Sequence, residues 1–152
     1  MKIEAVIKSN LVLDLPKKVI LNIMYTQHIV GDDFSEILKP FDLSAEQFNV
    51  LRILRGQQGK PANMCLIQER MIAKTSNTTR LVDKLLAKKL VTRNVCSDNR
   101  RKIEVTITEK GLEVLQQLDA TVINHEQKFA SNLEESELIQ LNELLEKYRT
   151  LK

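Results

Sequence analysis

The chain has 152 residues, 43% hydrophobic and 28% charged, with only 4 Gly and 3 Pro. That composition suits one compact unit and excludes collagen-like and Pro/Gly-rich linker classes; so few Gly and Pro also favour long helices over a turn-rich all-β fold. Charge is uneven: residues 41–110 carry 14 basic and 7 acidic side chains, net +7, whereas the rest carries 9 and 13, net −4, within a total of +3. A basic centre between acidic ends points to a polyanionic partner for the middle, or to a plain solvated surface. No apolar run approaches the roughly 18 residues of a membrane span. The start, MKIEAVIKSN, carries Glu4 and no long apolar core, so no signal peptide is read there. Two cysteines make no disulfide framework, and His28 and His125 lie at no zinc spacing. The expectation is a cytoplasmic protein with a reduced interior, no metal and no cofactor.

In chain order, Pro16 can open a helix in which Val19, Ile20, Ile23, Met24 and Gln27 follow helical spacing. Gly31 and the Asp32–Asp33 pair can end it, or it can resume through Phe34, Ile37 and Leu38 until Pro40 stops it. Ser44 with Gln47 has capping-box spacing, and Leu43 with Phe48 that of a hydrophobic staple. Phe48, Leu51 and Leu54, with Val50, then form a buried stripe to about Arg55. A short helix from about Met64 to Ile72 follows, with Leu66, Ile67 and Met71 inward. After a break at Ala73–Thr75 comes the helix SNTTRLVDKLLAKK. Its Thr78, Leu81, Val82 and Leu85 share one face, and Leu90 packs back on the core.

From Val91 the period changes. VTRNV is strand-like, CSDNRRK is turn-like, and IEVTIT alternates Ile103, Val105 and Ile107 against Glu104, Thr106 and Thr108. These make a hairpin. Thr108 can cap a helix of about 20 residues with Leu112, Leu115, Leu118, Val122 and Phe129 on its apolar side. A loop at Ala130–Asn132 precedes the last helix, for which Asn132 and Glu135 have capping-box spacing. Leu138, Leu141, Leu145 and Tyr148 form its buried stripe.

The middle pieces fit a winged helix-turn-helix, so the fold class is mainly α with a small β-hairpin. The polar face of the second close helix offers Ser76, Asn77, Thr79 and Arg80 to base edges, and Lys84 and Lys88 to phosphates. The hairpin tip adds Arg100, Arg101 and Lys102, a basic loop on a stiff stem that can reach a minor groove. Polar residues belong on surfaces anyway, so the face alone is weak; the ordered sequence of polar face, apolar return, strand, basic turn and strand is stronger. Nucleophile elbow, phosphate loop and HExxH motifs are missing, which argues against an enzyme. The alternative is a winged-helix protein-interaction module without specific DNA binding, disfavoured by the retained basic residues.

LSAEQFNVLRIL, NTTRLVDKLLAKKLVTR and SDNRRKIEVTITEKG together resemble the MarR family of transcriptional regulators. The family's recognition-helix core falls on Thr79, Arg80, Leu81, Val82, Asp83, Lys84 and Leu85. Its Asp-x-Arg wing motif falls on Asp98 and Arg100, and its Thr-x-x-Gly on Thr108 and Gly111. The resemblance implies a single unit over 1–152, a winged helix-turn-helix over 43–110, and dimerisation helices over 11–38 and 111–152. It implies a homodimer on pseudo-palindromic double-stranded DNA, more often a repressor, with Asp98 supporting the wing and Arg100 entering the minor groove. Val19, Ile20, Ile23, Leu138, Leu141, Leu145 and Tyr148 are the candidate dimer contacts. A small aromatic or phenolic effector, or an oxidant, often releases such proteins from DNA.

Two departures stand out. Where the family often has Gly before the Leu–Val step, this chain has Lys89, and a left-handed backbone there would be strained. No Cys precedes Cys65, so the early reactive thiol of the oxidant-sensing branch is missing; Cys65 reads as a core side chain and Cys96 as lying near the wing. His28 and His125 read as partly exposed helix residues.

Overall fold

The computed structural model describes residues 1–95 and 103–150. Its elements are α1 (Ile3–Val6), α2 (Leu15–Leu38), a 3-10 turn (Lys39–Phe41), α3 (Ala45–Arg55), β1 (Ala62–Asn63), α4 (Met64–Arg70), α5 (Thr78–Ala87), β2 (Val91–Val95), β3 (Ile103–Ile107), α6 (Glu109–Ala130) and α7 (Glu135–Arg149). The strands form one antiparallel sheet in the order β1-β3-β2.

One core joins the short helices, the sheet and the first half of α6. It contains Leu38, Phe48, Val50, Leu51, Leu54, Ile67, Met71, Val82, Leu85, Leu90, Val105, Leu115 and Leu118. The capping box at α3 forms as expected: Ser44 Oγ accepts from the Gln47 N–H and Gln47 Oε1 from the Ser44 N–H, both at 3.2 Å. The staple residues Leu43 and Phe48 are both buried.

One open point is settled and several expectations are corrected. For α2, where the sequence leaves open both an end at Gly31 and a continuation to Leu38, the continuation holds: the helix runs unbroken for 24 residues to Leu38. Beyond Gly31 it carries Phe34 and Ile37 against the core and buries Leu38, so packing overrides the weak local break. Helix α5 is shorter than the SNTTRLVDKLLAKK run. Asn77 is its N-cap, with Oδ1 accepting from the Arg80 N–H at 3.0 Å, so Ser76 lies before the helix. Helix α4 ends at Arg70, and Ile72 is left exposed. Asn132 does not open α7: its amide nitrogen donates to the Phe129 carbonyl at 3.4 Å, closing α6. The opening falls two residues later, where the Glu134 N–H donates to Glu137 Oε2 at 2.9 Å. Leu112 is exposed, not inward. Strand β1, unforeseen, pairs Ala62 with Val105 and Asn63 with Glu104; two residues are too few to carry a period.

The α7 stripe is also corrected. No residue of α7 is buried; Leu138 is half-buried, and Leu141, Leu145 and Tyr148 are 44%, 39% and 49% exposed. On α2, Val19 and Ile23 are half-buried and Ile20 is exposed. None of these side chains belongs to the winged-helix core, and Ile20, Leu141, Leu145 and Tyr148 face outward.

Lys89 adopts the left-handed conformation, φ 62°. Its N–H donates to the Leu86 carbonyl at 2.9 Å and the Leu90 N–H to the Leu85 carbonyl at 3.0 Å, the bond pair that closes a helix with a left-handed residue. A side chain there costs about 1–2 kcal/mol, against about 0.5–1 kcal/mol for the extra chain entropy of glycine. Lys89→Gly is therefore expected to stabilise the fold by about 1 kcal/mol, raising Tm by roughly 2–4 °C in a thermal melt. An unchanged or lower Tm would contradict the strain.

Candidate nucleic-acid interface

The polar face of α5 depends on the turn before it. Gln68 of α4 donates through Nε2 to the Lys74 carbonyl at 2.6 Å and accepts from the Thr78 hydroxyl. Asn49 Oδ1 accepts from the Ile72 N–H at 3.0 Å. These bonds set the angle between α4 and α5, while Thr78, Val82 and Leu85 are buried beneath. Opposite them, Thr79, Arg80, Asp83 and Lys84 are exposed on one surface, with Asn77 exposed and Ser76 half-buried at its leading end. Asn77 uses only its carbonyl oxygen as the cap, and an Asn amide has two further donors.

The trailing end of α5 is tied down from three sides. Asp83 accepts from Arg93 Nη1 of β2 at 2.7 Å. Thr108 donates through Oγ1 to the Lys89 carbonyl at 2.9 Å and through its N–H to the Leu90 carbonyl at 3.0 Å. Lys88, read from sequence as a phosphate contact, bends back: its Nζ donates to the Asp42 carbonyl and lies 3.0 Å from Asp42 Oδ2 and 3.3 Å from Gln47 Oε1. Arg93 and Asp42 were not singled out from sequence, and Gln47 was read only as the capping-box partner of Ser44 and not as a partner of Lys88. Nothing local marks them, since the Lys88 partners lie over 40 positions away. Asp98, Arg100, Arg101, Lys102 and Cys96 lie outside the described residues.

Between the helices lies a cleft of about 300 Å³ lined by Gln27, Val30, Gly31, Phe34, Phe48, Arg52, Val122, His125 and Glu126. A second cleft of about 320 Å³ shares Gln27, Phe34, Phe48 and Arg52 and extends to Met71 and Ile72. Phe34 and Phe48 meet edge to face at 5.3 Å, and the Arg52 guanidinium lies 5.9 Å from the Phe48 ring centre. His125, expected to be partly exposed, is buried. Its Nδ1 is 2.8 Å from Asp33 Oδ2, and it packs on Phe34 and Phe129. The hydrogen bond from Lys128, followed by that from His125, holds the Asp33 carboxyl below its ordinary range. His28 is exposed beside Asp32, as expected. Cys65, expected in the core, is exposed on the outer side of α4. Among the described residues no helix is long and apolar enough to cross a membrane, and no three His, Cys, Asp or Glu side chains cluster as a metal site.

This geometry is that of a winged helix, and comparison with known proteins gives its class. The MarR family model matches residues 43–103. The chain is 31% identical over 118 residues to the uncharacterized HTH-type transcriptional regulator YpoP of Bacillus subtilis (strain 168), covering 78% of this chain and 82% of that protein. It superposes on a MarR transcription factor from Planctomyces limnophilus with TM-score 0.70 and 31% identity, over 90% of this chain and 98% of that one. It also matches BpsR of Bordetella bronchiseptica, whose DNA binding is regulated by 6-hydroxynicotinic acid, with TM-score 0.80 and 20% identity over 93% and 99% of the chains. The chain belongs to the MarR family of DNA-binding transcriptional regulators. Membership in a family of regulators makes it no enzyme.

Proposed function

We propose that the protein is a sequence-specific repressor that binds a pseudo-palindromic operator as a homodimer and is released by a small aromatic effector. The observation that carries the reading is the surface of α5, where Thr79, Arg80 and Lys84 are exposed together on a helix anchored at both ends. A helix of this width fits a major groove. On this reading Asn77, Thr79 and Arg80 read base edges, with Ser76 at the entry and Lys84 meeting a phosphate. The wing residues Arg100, Arg101 and Lys102 are assigned to the adjacent minor groove from the family motif, supported by Asp98. Residues 43–110 act as the DNA-binding unit within a single domain, with 11–38 and 111–152 joining two subunits.

The outward apolar side chains of α2 and α7 support the dimer. A two-fold dimer sets its two recognition helices about one helical turn of DNA apart, which is why the operator should be palindromic. The cleft among Phe34, Phe48 and Arg52 suits a planar ring with one anionic group: two aromatic rings for the face and a guanidinium for the charge. Its position between α2, α3 and α6 lets an occupant shift α3 relative to the dimer helices.

Anisotropy titration of labelled DNA tests this. The parent protein should prefer a duplex it selects from a random library by at least about a thousandfold over an unrelated one. Arg80→Ala should cost about 1–3 kcal/mol on the selected duplex and relax preference at one base position. Lys84→Ala should weaken both duplexes alike and lower the salt slope by about 1. Weak, equal, steeply salt-dependent binding of the parent would leave only a basic surface meeting phosphate, and no binding at low salt would favour the protein-interaction module. Release of the selected duplex by a small aromatic carboxylate, read in the same titration, tests the effector.

A further inference from the structure

We infer that Lys88 is a positioning residue for DNA reading and not a phosphate contact: it clips the trailing end of the recognition helix to the junction between α2 and α3. The inference rests on the DNA-binding reading of α5. A lysine ammonium has three N–H donors and no acceptor. Here three oxygens face it: the Asp42 carbonyl, Asp42 Oδ2 at 3.0 Å and Gln47 Oε1 at 3.3 Å. A phosphate could take Lys88 only by displacing bonds already made, whereas Lys84, one turn earlier, is exposed.

The partners are themselves fixed. Gln47 is buried at 4% exposure, and its Oε1 also accepts from the Ser44 N–H at 3.2 Å, so the acceptor belongs to the α3 capping box. Asp42 is held left-handed at φ 52°, with its N–H on the Lys39 carbonyl at 2.9 Å. That residue is the bend where the chain leaves the long α2 helix and enters α3. Lys88 thus joins the last residue of the recognition-helix region to the point at which α2 meets the winged helix. If α2 is set by the dimer, the clip transmits that setting to the angle at which α5 enters the groove. Charge at Lys88 then matters through orientation, which base contacts feel, and not through counterion release, which any duplex feels.

The experiment compares parent, Lys88→Met and Asp42→Gly by anisotropy titration on the duplex selected by the parent and on an unrelated duplex, across a salt series, below the melting temperature of each variant. Methionine keeps the apolar stem and removes the ammonium; glycine accepts φ 52° and removes the Asp42 side chain with its carboxylate, leaving the main-chain carbonyl in place. The expected result is about a tenfold loss for Lys88→Met on the selected duplex, with unchanged affinity for the unrelated duplex and an unchanged salt slope. Asp42→Gly should lose selected-duplex affinity in the same direction, although it deletes a negative charge near DNA. A merely structural role would lower Tm and leave both affinities of the folded protein alone. Equal losses on both duplexes with the slope reduced by about 1, or tighter binding of Asp42→Gly to both, would overturn the inference in favour of a phosphate contact. Unchanged binding by both variants would overturn it outright. A parent with no duplex preference would instead overturn the DNA-reading proposal, and this one with it.

Discussion

Gly111→Ala is expected to destabilise the protein by about 3 kcal/mol or more and to lower Tm by roughly 10 °C. Gly111 sits in the first turn of α6, its N–H donating to Thr108 Oγ1 at 3.1 Å. A Cβ there would lie 2.4 Å from the Leu90 carbonyl oxygen and 2.7 Å from Ile107 Cγ1. The first obstacle is backbone, held by the Thr108 N–H at 3.0 Å, and cannot swing aside; the second is the branched side chain of Ile107 at the end of β3, where the Cβ branch restricts rotation. The methyl forces α6 away from the exit of the recognition helix, and against a typical total stability of about 5–15 kcal/mol the loss is large. Gly31→Ala is the internal comparison. Its Cβ would meet only the Gln27 side chain, at an ordinary 3.5 Å, and alanine in a helix interior gains about 1 kcal/mol. Paired thermal melts should move in opposite directions. Equal shifts would mean that α6 does not dock on Leu90 as described.

Leu141→Glu combined with Leu145→Glu is expected to turn the protein into a folded monomer and to weaken operator binding by about 10²–10⁴-fold. Both side chains point outward from α7, on a helix with no buried residue, so charge there costs the isolated subunit little. In a dimer the same carboxylates would be driven into an apolar contact, where an unpaired charge is strongly disfavoured. Without the partner, each recognition helix reads one half-site alone and loses the effective concentration that linkage supplies. Sedimentation equilibrium reads the association state and anisotropy reads the affinity. A variant that stays dimeric and binds like the parent would place the subunit contact elsewhere.

Much of the fold is legible along the chain because its signals are local. The Ser44–Gln47 box, the Thr108 cap and the Thr78, Val82, Leu85 face each depend on neighbours within a turn or two, so spacing alone reports them. The left-handed Lys89 was raised as a question by the family resemblance, which often has Gly at that position, and not by any local signal of this chain. The open points and the errors have the opposite cause. Gly31 and Asp32–Asp33 leave open whether α2 ends there, because the partners that satisfy Asp33, Lys128 and His125, lie over 90 residues away. Leu141, Leu145 and Tyr148 carry a helical stripe that reads as buried, but periodicity shows that a face is apolar without showing what covers it.

The candidate site divides in the same way. Residue type and helical period were enough to place Thr79, Arg80 and Lys84 on one polar face, since both are properties of a single helix. That Lys88 turns inward while Lys84 stays exposed was decided only when α3 came alongside α5 and offered Asp42 and Gln47 as acceptors. Two lysines four positions apart are alike in sequence; long-range packing, which no local pattern encodes, separates them.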